Sequence, residues 1–363
     1  MVETEFLADI ERPDLVDAWD EISRLGGCPG VFACRPWVSA WAAAFRADAE
    51  PEVAVARENG TVVGILPLFR RSDRRLTTHV NFLSHRGEMT ALPGRETEAL
   101  RAVLGAARSR GDTIALRGLP GGSPTRAAVR ETAAGAGYVE TVREGRSSPV
   151  VDVQDSWDAY YASRPRKVTH EWERKIRKLG RAGDVVVGNG HADDTDALVG
   201  AFADIEDASW KHETGTSIRG RGMESFYRDV SRRLAEAGWL HPWWVELDGR
   251  MIAFLYGVEV GGTYYALKTS YLTETRKLSP GVLLFRDAIR DAFERGLARF
   301  DFVGQPARWK DEWATGRLAH DDVTLHPDDA AGRARAVVEG RLKPAARSVR
   351  DRLRGRENDG GRR

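Results

Sequence analysis

Two cations, Arg276 and Lys277, stand immediately before Ser279-Pro280-Gly281-Val282, and an apolar run follows. Serine at an N-cap with proline at the first helical position is a strong helix-start signal. A helix start carries amides without intrahelical partners and a partial positive charge, so this arrangement suits a phosphate or pyrophosphate. Arg276, Lys277, Ser279, Gly281 and Val282 are the candidate cofactor-binding residues. The stretch around them reads as strand, loop, helix, strand. Lys268 and Tyr271 lie on or just after the first strand, and Asp301 lies on the second between Phe300 and Phe302. Alternation along a strand sends Asp301 to the sheet face opposite those two rings.

Asp301 and Glu206 are candidate bases. Asp301 is equally readable as a strand-edge carboxylate bonded to backbone, and Glu206 as part of a solvated helix face. Lys268, Trp210, Trp309 and Lys310 are candidate substrate-binding residues. Lys310, between Trp309 and Trp313, suits an acceptor carboxylate or sugar, or else a cation stacked on an indole. His212 reads as a loop residue rather than a base.

Several chemistries are disfavoured. The sequence has no Gly-Lys-Ser/Thr phosphate loop, no Gly-x-Gly-x-x-Gly, no Gly-x-Ser-x-Gly and no His-Glu-x-x-His. Its two cysteines, Cys28 and Cys34, have no His cluster nearby, so they read as reduced thiols and no metal is expected. Net charge is +1 over 363 residues, which gives no global field towards nucleic acid. The acidic N-terminus lacks an apolar run, and no segment approaches the roughly 20 apolar residues of a membrane span. A cytoplasmic location is the expectation.

The positioning elements follow from periodicity. Residues 13–26 and 36–46 predict helices, the second with Trp37, Trp41 and Phe45 recurring every four residues. Asn59-Gly60 between apolar runs predicts a hairpin, as does Asp248-Gly249. The Asn59-Gly60-Thr61 sequon is then a turn rather than a glycan site. Helices are expected over 95–110, 125–135, 193–211 and 223–237, and strands at 80–83, 113–116, 138–142 and 184–188. Residues 118–124 read as a loop, and a final strand falls near 322–325. Residues 164–181 hold eight Lys/Arg against two Glu, with Trp172, Ile176 and Leu179 as a narrow apolar stripe. This is either an amphipathic surface helix or a basic wall beside a polyanionic ligand. Residues 333–363 hold eleven Lys/Arg against four Asp/Glu and read as a basic tail.

Two stretches, VAVARENGTVVGILPLF and WWVELDGRMIAFLYGV, share strand, Asn/Asp-Gly turn, strand, and each is followed by strand, helix, strand. This is a degenerate internal repeat of one α/β unit. The expected organisation is a first half over 1–150, a second over 151–330 and a tail over 331–363. The first copy lacks the Arg-Lys loop and is the weaker candidate for donor binding.

The second half resembles the GNAT superfamily of acyl-CoA-dependent N-acyltransferases, in which an Arg/Gln-x-x-Gly-x-Gly/Ala loop enters a helix whose amides bind the CoA pyrophosphate. Arg276-Lys277-Leu278-Ser279-Pro280-Gly281 matches that loop, with Ser279 in place of the usual Gly and Pro280 removing one amide donor. The whole chain resembles more closely a branch with two fused GNAT-like halves, labelled as acetyltransferases involved in cellulose biosynthesis and related to the Fem peptidyltransferases. Asn59-Gly60-Thr61-Val62-Val63-Gly64, the basic run 166–181, Phe300-Asp301-Phe302, and Trp309-Lys310 with Trp313 carry this likeness over roughly residues 30–325. It implies an α/β (α+β) fold of tandem halves, each a mixed, mostly antiparallel twisted sheet flanked by helices. It also implies direct attack of an amine on the thioester of acetyl-CoA or another acyl-CoA, with Tyr271 as the acid that protonates the leaving thiolate. The alternative donor is aminoacyl-tRNA, as in the Fem enzymes, which would make tRNA a partner. A non-catalytic scaffold for polysaccharide assembly is the rival outside enzymes.

Overall fold

The structure, a computed structural model, describes residues 1–71, 75–190 and 194–342. It divides into two compact units. The first comprises Met1–Gly27, Ala47–Gly145 and the chain from Ala319 onward; the second comprises Cys28–Arg46 and Arg146–Leu318. The sequence suggested contiguous segments over 1–150, 151–330 and 331–363, whereas the two units are each built from more than one stretch of chain. Aromatic packing explains why an early segment joins the second unit. Phe32 and Trp37 meet edge-on at 5.2 Å, Trp37 meets Phe226 at 5.5 Å, and Phe32 faces Tyr265 at 6.3 Å.

In the first unit, Val2–Leu7, Val53–Glu58, Thr61–Leu66 and Thr90–Ala91 form an antiparallel sheet in that order. The expected hairpin turn is present, with Asn59 at φ 50° and Gly60 at φ 84°, both in the left-handed region that an Asn-Gly turn supplies. The helix Glu96–Ser109 buries Leu100, Val103, Leu104 and Ala107 against a core that includes Ala54, Val63 and Leu66. A second group of strands orders as Glu50–Pro51, Leu68–Arg70, Leu76–Thr78, Ile114–Pro120 and the later residues of Gly316–Pro327.

In the second unit the order is Val185–Asn189, Trp243–Leu247, Arg250–Val260, Thr263–Tyr271, Arg299–Asp301 and the last residues of Tyr138–Asp152. All neighbours are antiparallel except Thr263–Tyr271 and Arg299–Asp301, which are parallel. The helix Pro280–Glu294 is the crossover that a parallel pair requires. On its face of the sheet, Tyr264 stacks on Phe300 at 4.8 Å and Phe285 meets Phe302 at 5.6 Å. The opposite face carries Thr195–Asp207, where Phe202 stacks on Phe254 at 4.1 Å. Gly257 is required here, because a Cβ would lie 1.7 Å from the Tyr264 hydroxyl. The mixed, mostly antiparallel sheets flanked by helices are those expected.

Other local expectations are revised. Residues 80–83 are not a strand, because the Asn81 side chain accepts from the Leu83 and Ser84 amides at 2.8 and 3.1 Å and turns the chain. The strand of this region is Leu76–Thr78. The strand Ile114–Pro120 runs into the stretch read as a loop. The strand begun at Tyr138 continues to Asp152. The long helix expected to reach residue 211 ends at Asp207, and Ser209 caps a new one at Trp210–Glu213 by accepting from the Lys211 amide at 3.2 Å. Of the tail, Ala330–Val337 is helical and Val338–Leu342 continues as a π-helical turn; residues 343–363 lie outside the described residues. Among the described residues no helix is long and apolar enough to cross a membrane.

Candidate functional site

The candidate residues gather around the strand Thr263–Tyr271. This nine-residue strand pairs with Arg299–Asp301 only through Thr263, Tyr264 and Tyr265. Its remaining six residues have no strand on that side among the described residues, so one backbone edge opens beyond Tyr265. The break coincides with an irregularity against the other neighbour. Ala266 pairs with Gly257 and Lys268 with Tyr256, so Leu267 is an extra residue, a β-bulge. The bulge resets alternation and places Lys268 on the face of Tyr265 and Tyr256.

There Lys268 meets Glu206. The Glu206 carboxylate is fully buried, and its oxygens are occupied. Oε1 accepts from Lys211 Nζ at 2.5 Å; Oε2 accepts from the Ile218 amide at 2.9 Å and lies 3.1 Å from Lys268 Nζ. Lys211 also donates to the Thr269 carbonyl at 2.7 Å. Lys268 Nζ lies 5.7 Å from the ring centre of Tyr227. Burial holds the Lys268 ammonium down to about 8, and the charges of Lys211 and Arg221 push the same way against Glu206. Glu206 is therefore not on a solvated helix face; its carboxylate is engaged by Lys211, Lys268 and the Ile218 amide. Lys211 was not singled out from sequence; its spacing of five residues from Glu206 across a helix break gave no periodic signal.

The donor loop differs in detail from expectation. Arg276 and Lys277 are exposed on a 3-10 turn, Thr273–Leu278, rather than in open loop. Ser279 adopts φ 54°, ψ 51°, the left-handed conformation, and its side chain makes no capping bond. That is the backbone a glycine adopts most readily. The Ser279 amide donates to the Arg276 carbonyl and the Val282 amide to the Ser279 carbonyl, at 3.2 and 3.0 Å. Val282 thus does not offer its amide to a ligand. The Gly281 amide has no backbone acceptor among the described residues, and a Cβ on Gly281 would meet nothing within 4 Å. From the helix Arg166–Gly180, Lys178 Nζ donates to the Lys277 carbonyl at 2.9 Å. That basic helix is anchored by its apolar stripe, with Trp172 stacked on Trp313 at 3.5 Å and 7°. The corresponding helix of the first unit, Glu96–Ser109, opens with Glu96 and Glu98, and Arg95 before it is tied to Glu58 and Glu98 at 2.8 and 2.7 Å. Such a start repels phosphate.

Asp301 is fully buried, and its Oδ1 accepts from the Val303 amide at 2.8 Å. Val303 sits at φ 48°, a conformation rare for a β-branched residue. Lys310 Nζ donates to the carbonyls of Phe302 and Val303 at 3.1 and 2.7 Å, so Asp301 and Lys310 together hold this strained residue. Burial lowers Lys310 to about 8, opposed by Asp301 and Asp311. Trp309 packs on Phe285 at 4.9 Å and stays 40% exposed; Trp210, 50% exposed, opens the short helix carrying Lys211. Tyr271 ends its strand opposite Ala253, on the face away from Lys268. The structure thus joins Glu206 with Lys268 and Asp301 with Lys310, and separates Tyr271 from Lys268 by the sheet.

No curated protein matches the chain by sequence. Among solved structures the chain is similar to FemX, at 13% identity and a TM-score of 0.60, over 85% of this chain and 95% of that one. It is similar to L-PGS from Bacillus licheniformis at 12% identity and 0.57, over 93% and 98%. It also resembles the C-terminal domain of a putative lysylphosphatidylglycerol synthetase from Agrobacterium fabrum, at 11% and 0.55, over 89% and 94%. At these identities the likeness is one of fold. Residues 166–311 match the family described as acetyltransferase (GNAT) domain. That span lies wholly in the second unit, the one that carries the open strand edge and the helix Pro280–Glu294, so the likeness to a GNAT acetyltransferase domain falls on this unit and supports an acyltransferase.

Proposed function

We propose that the protein transfers an acyl group, acetyl in the simplest case, from acyl-CoA to an amine of a small molecule, sugar or peptide. The observation that carries this reading is the strand Thr263–Tyr271, which among the described residues has one edge open beyond Tyr265 and runs through the turn Thr273–Leu278 into the helix Pro280–Glu294. An open strand edge pairs readily with an amide-bearing chain, such as the arm of CoA. The Gly281 amide, Arg276, Lys277 and Lys178 suit the pyrophosphate at its far end. The amine attacks the thioester carbon, a C–N bond forms, the C–S bond breaks, and the thiolate leaves. A proton must leave the amine and one must reach the sulfur. Lys268, held near 8, exchanges protons in the neutral range and suits the first task; Glu206 positions it. Tyr271, near the donor loop, is assigned to the thiolate. Asp301 is a positioning residue for Val303 and Lys310, and Lys310 with Trp309 faces the acceptor.

A second reading keeps the fold and takes aminoacyl-tRNA as donor. The exposed Arg166, Lys167, Arg174, Arg177 and Lys178 on one helix favour it, since Lys178 reaches the donor loop. Calorimetric titration separates the two. Acetyl-CoA and CoA are expected to bind, and Arg276→Ala with Lys277→Ala to weaken binding. No binding at millimolar CoA rejects the first reading, and tight tRNA binding that falls steeply with salt establishes the second.

A further inference from the structure

Hydrogen bonding in the ladder fixes which backbone groups of the strand Thr263–Tyr271 face its open edge. The Leu272 amide donates to the Ile252 carbonyl at 2.9 Å, and the register sets Phe254 opposite Ser270 and Tyr256 opposite Lys268. Antiparallel pairs alternate between bonded and non-bonded, so these are the bonded pairs and Leu255–Thr269, between them, is not. The amide and carbonyl of Thr269 therefore turn away from the strand Arg250–Val260, towards the edge left open beyond Tyr265 among the described residues. Lys211 Nζ donates to that carbonyl at 2.7 Å and to Glu206 Oε1 at 2.5 Å. One ammonium thus ties the open edge to the buried carboxylate.

Two ammoniums share this carboxylate on unequal terms. Lys211 has two close acceptors. Lys268 has Glu206 Oε2, at 3.1 Å, as its one acceptor among the described residues, and beyond it the ring of Tyr227 at 5.7 Å. An ammonium carries three donors, and a buried one short of acceptors is costly. The other groups facing Lys268 bring no negative charge. Tyr227, from the helix Glu224–Glu236, and Tyr256, opposite Lys268 in the ladder, are buried phenols whose ionisation burial pushes up. The Tyr256 hydroxyl is paired with that of Ser231 at 2.9 Å. Arg221, in the stretch before that helix, adds positive charge. Of the two ammoniums, Lys268 is the less well bonded and gives up its proton the more readily.

We propose that Lys211 is a positioning residue for acyl transfer: it holds Glu206 to the open edge at Thr269, so that Lys268 stands beside that edge free to take the proton of an attacking amine. The role in catalysis rests on the acyl-transfer reading; the hold of Lys211 on Lys268 does not. The proton passes from the amine nitrogen to the lone pair of Lys268 Nζ as the C–N bond forms. The C–S electron pair leaves on sulfur, and Lys268 ends the step as an ammonium beside Glu206. Without the charge of Lys211, Glu206 belongs to Lys268 alone and keeps its proton in place.

The test is carbon-13 NMR titration of the full chain with labelled lysine, the Lys268 and Lys211 signals being assigned from Lys268→Arg and Lys211→Arg. The Lys268 midpoint is expected near 8 in the parent. In Lys211→Gln, which keeps a hydrogen-bond donor and loses the charge, it is expected to rise by about one pH unit, a roughly tenfold weaker acid. Lys211→Arg restores it. With acetyl-CoA as donor and glucosamine, lysine and a lysyl peptide as acceptors in turn, the kcat–pH limb is expected to move with that midpoint. Far-ultraviolet circular dichroism checks that each variant is folded. The parent supplies a reading that needs no variant: its Lys211 signal is expected to show a step at the Lys268 midpoint. An unchanged midpoint in folded Lys211→Gln, no such step in the parent, or a kcat–pH limb that stays in place overturns the proposal. The titration uses no donor, so a shifted midpoint in a parent that does not bind CoA supports the hold of Lys211 on Lys268 and rejects the acyl-transfer reading instead.

Discussion

Lys268 Nζ stands 3.1 Å from Glu206 Oε2 because Leu267 is one residue too many for its strand. Strict alternation from Tyr264 would put Lys268 on the face of the helix Pro280–Glu294; the bulge turns it to the other face, against the buried carboxylate. Removal of Glu206 leaves two ammoniums in a buried site with no counter-charge. Breaking a buried pair in this way costs about 3–5 kcal/mol. Glu206→Gln is therefore expected to lose that much in urea-unfolding free energy, and an unchanged midpoint would remove Glu206 from its anchoring role. Lys268→Met is expected to keep CoA affinity and lower kcat.

Ser279 adopts the left-handed conformation at φ 54° with no side-chain bond in return. A non-glycine residue there costs roughly 1–2 kcal/mol. Ser279→Gly is expected to stabilise the protein by about 1 kcal/mol and to leave CoA binding intact, since the backbone path is unchanged. A fall in melting temperature would contradict this account of the loop.

Lys268 and Lys310 are both lowered from 10.5 to about 8, burial being the first cause in each. Between pH 8 and 10.5 the unfolded chain binds more protons than the folded one, so stability rises with pH across that window. Buried Tyr138, Tyr160, Tyr227 and Tyr256 are raised above 10, so above that pH the folded chain holds more protons and stability falls. Melting curves from pH 7 to 11 are expected to peak near pH 10, with the rising limb flattened in Lys268→Met plus Lys310→Met. The same slope in both proteins would contradict the lysine assignment.

In the first unit, burial raises Glu88 to about 7, opposed by Arg86 and Ser123, and its Oε1 has no hydrogen-bond partner among the described residues. Between pH 4.5 and 7 the folded chain binds the extra proton, so this group's contribution to stability is lost as pH rises through that window. Glu88→Gln removes the titration. Its advantage over the parent in melting temperature should therefore grow from pH 4.5 to pH 8, and an equal difference at both would refute the assignment.

What was legible in the sequence was local. Asn59-Gly60 and Asp248-Gly249 specify their turns by themselves, and the Ser-Pro-Gly start located the helix Pro280–Glu294. Leu267 was not legible as a bulge, because a bulge exists only relative to the partner strand. Glu206 was ambiguous among Asp204, Asp207 and other acidic neighbours; only Lys268, distant in sequence, marks it as buried. The failed strand at 80–83 shows the converse, an apolar run overruled by one Asn side chain. Ser279 kept its place at the helix start but not its capping role, since the incoming 3-10 turn had already set its backbone.

The assignment of Cys28–Arg46 to the second unit has a consequence for synthesis on the ribosome. The rings of Phe32 and Trp37 emerge long before Phe226 and Tyr265, their buried contacts. The nascent chain must carry these aromatics without their final partners while most of the polypeptide is still being made. A gene fragment cut to the 166–311 domain span would lack them altogether. Holding the acyltransferase unit together therefore falls partly to residues 28–46, within about the first eighth of the chain, and a chaperone that shields exposed aromatics would act earliest there.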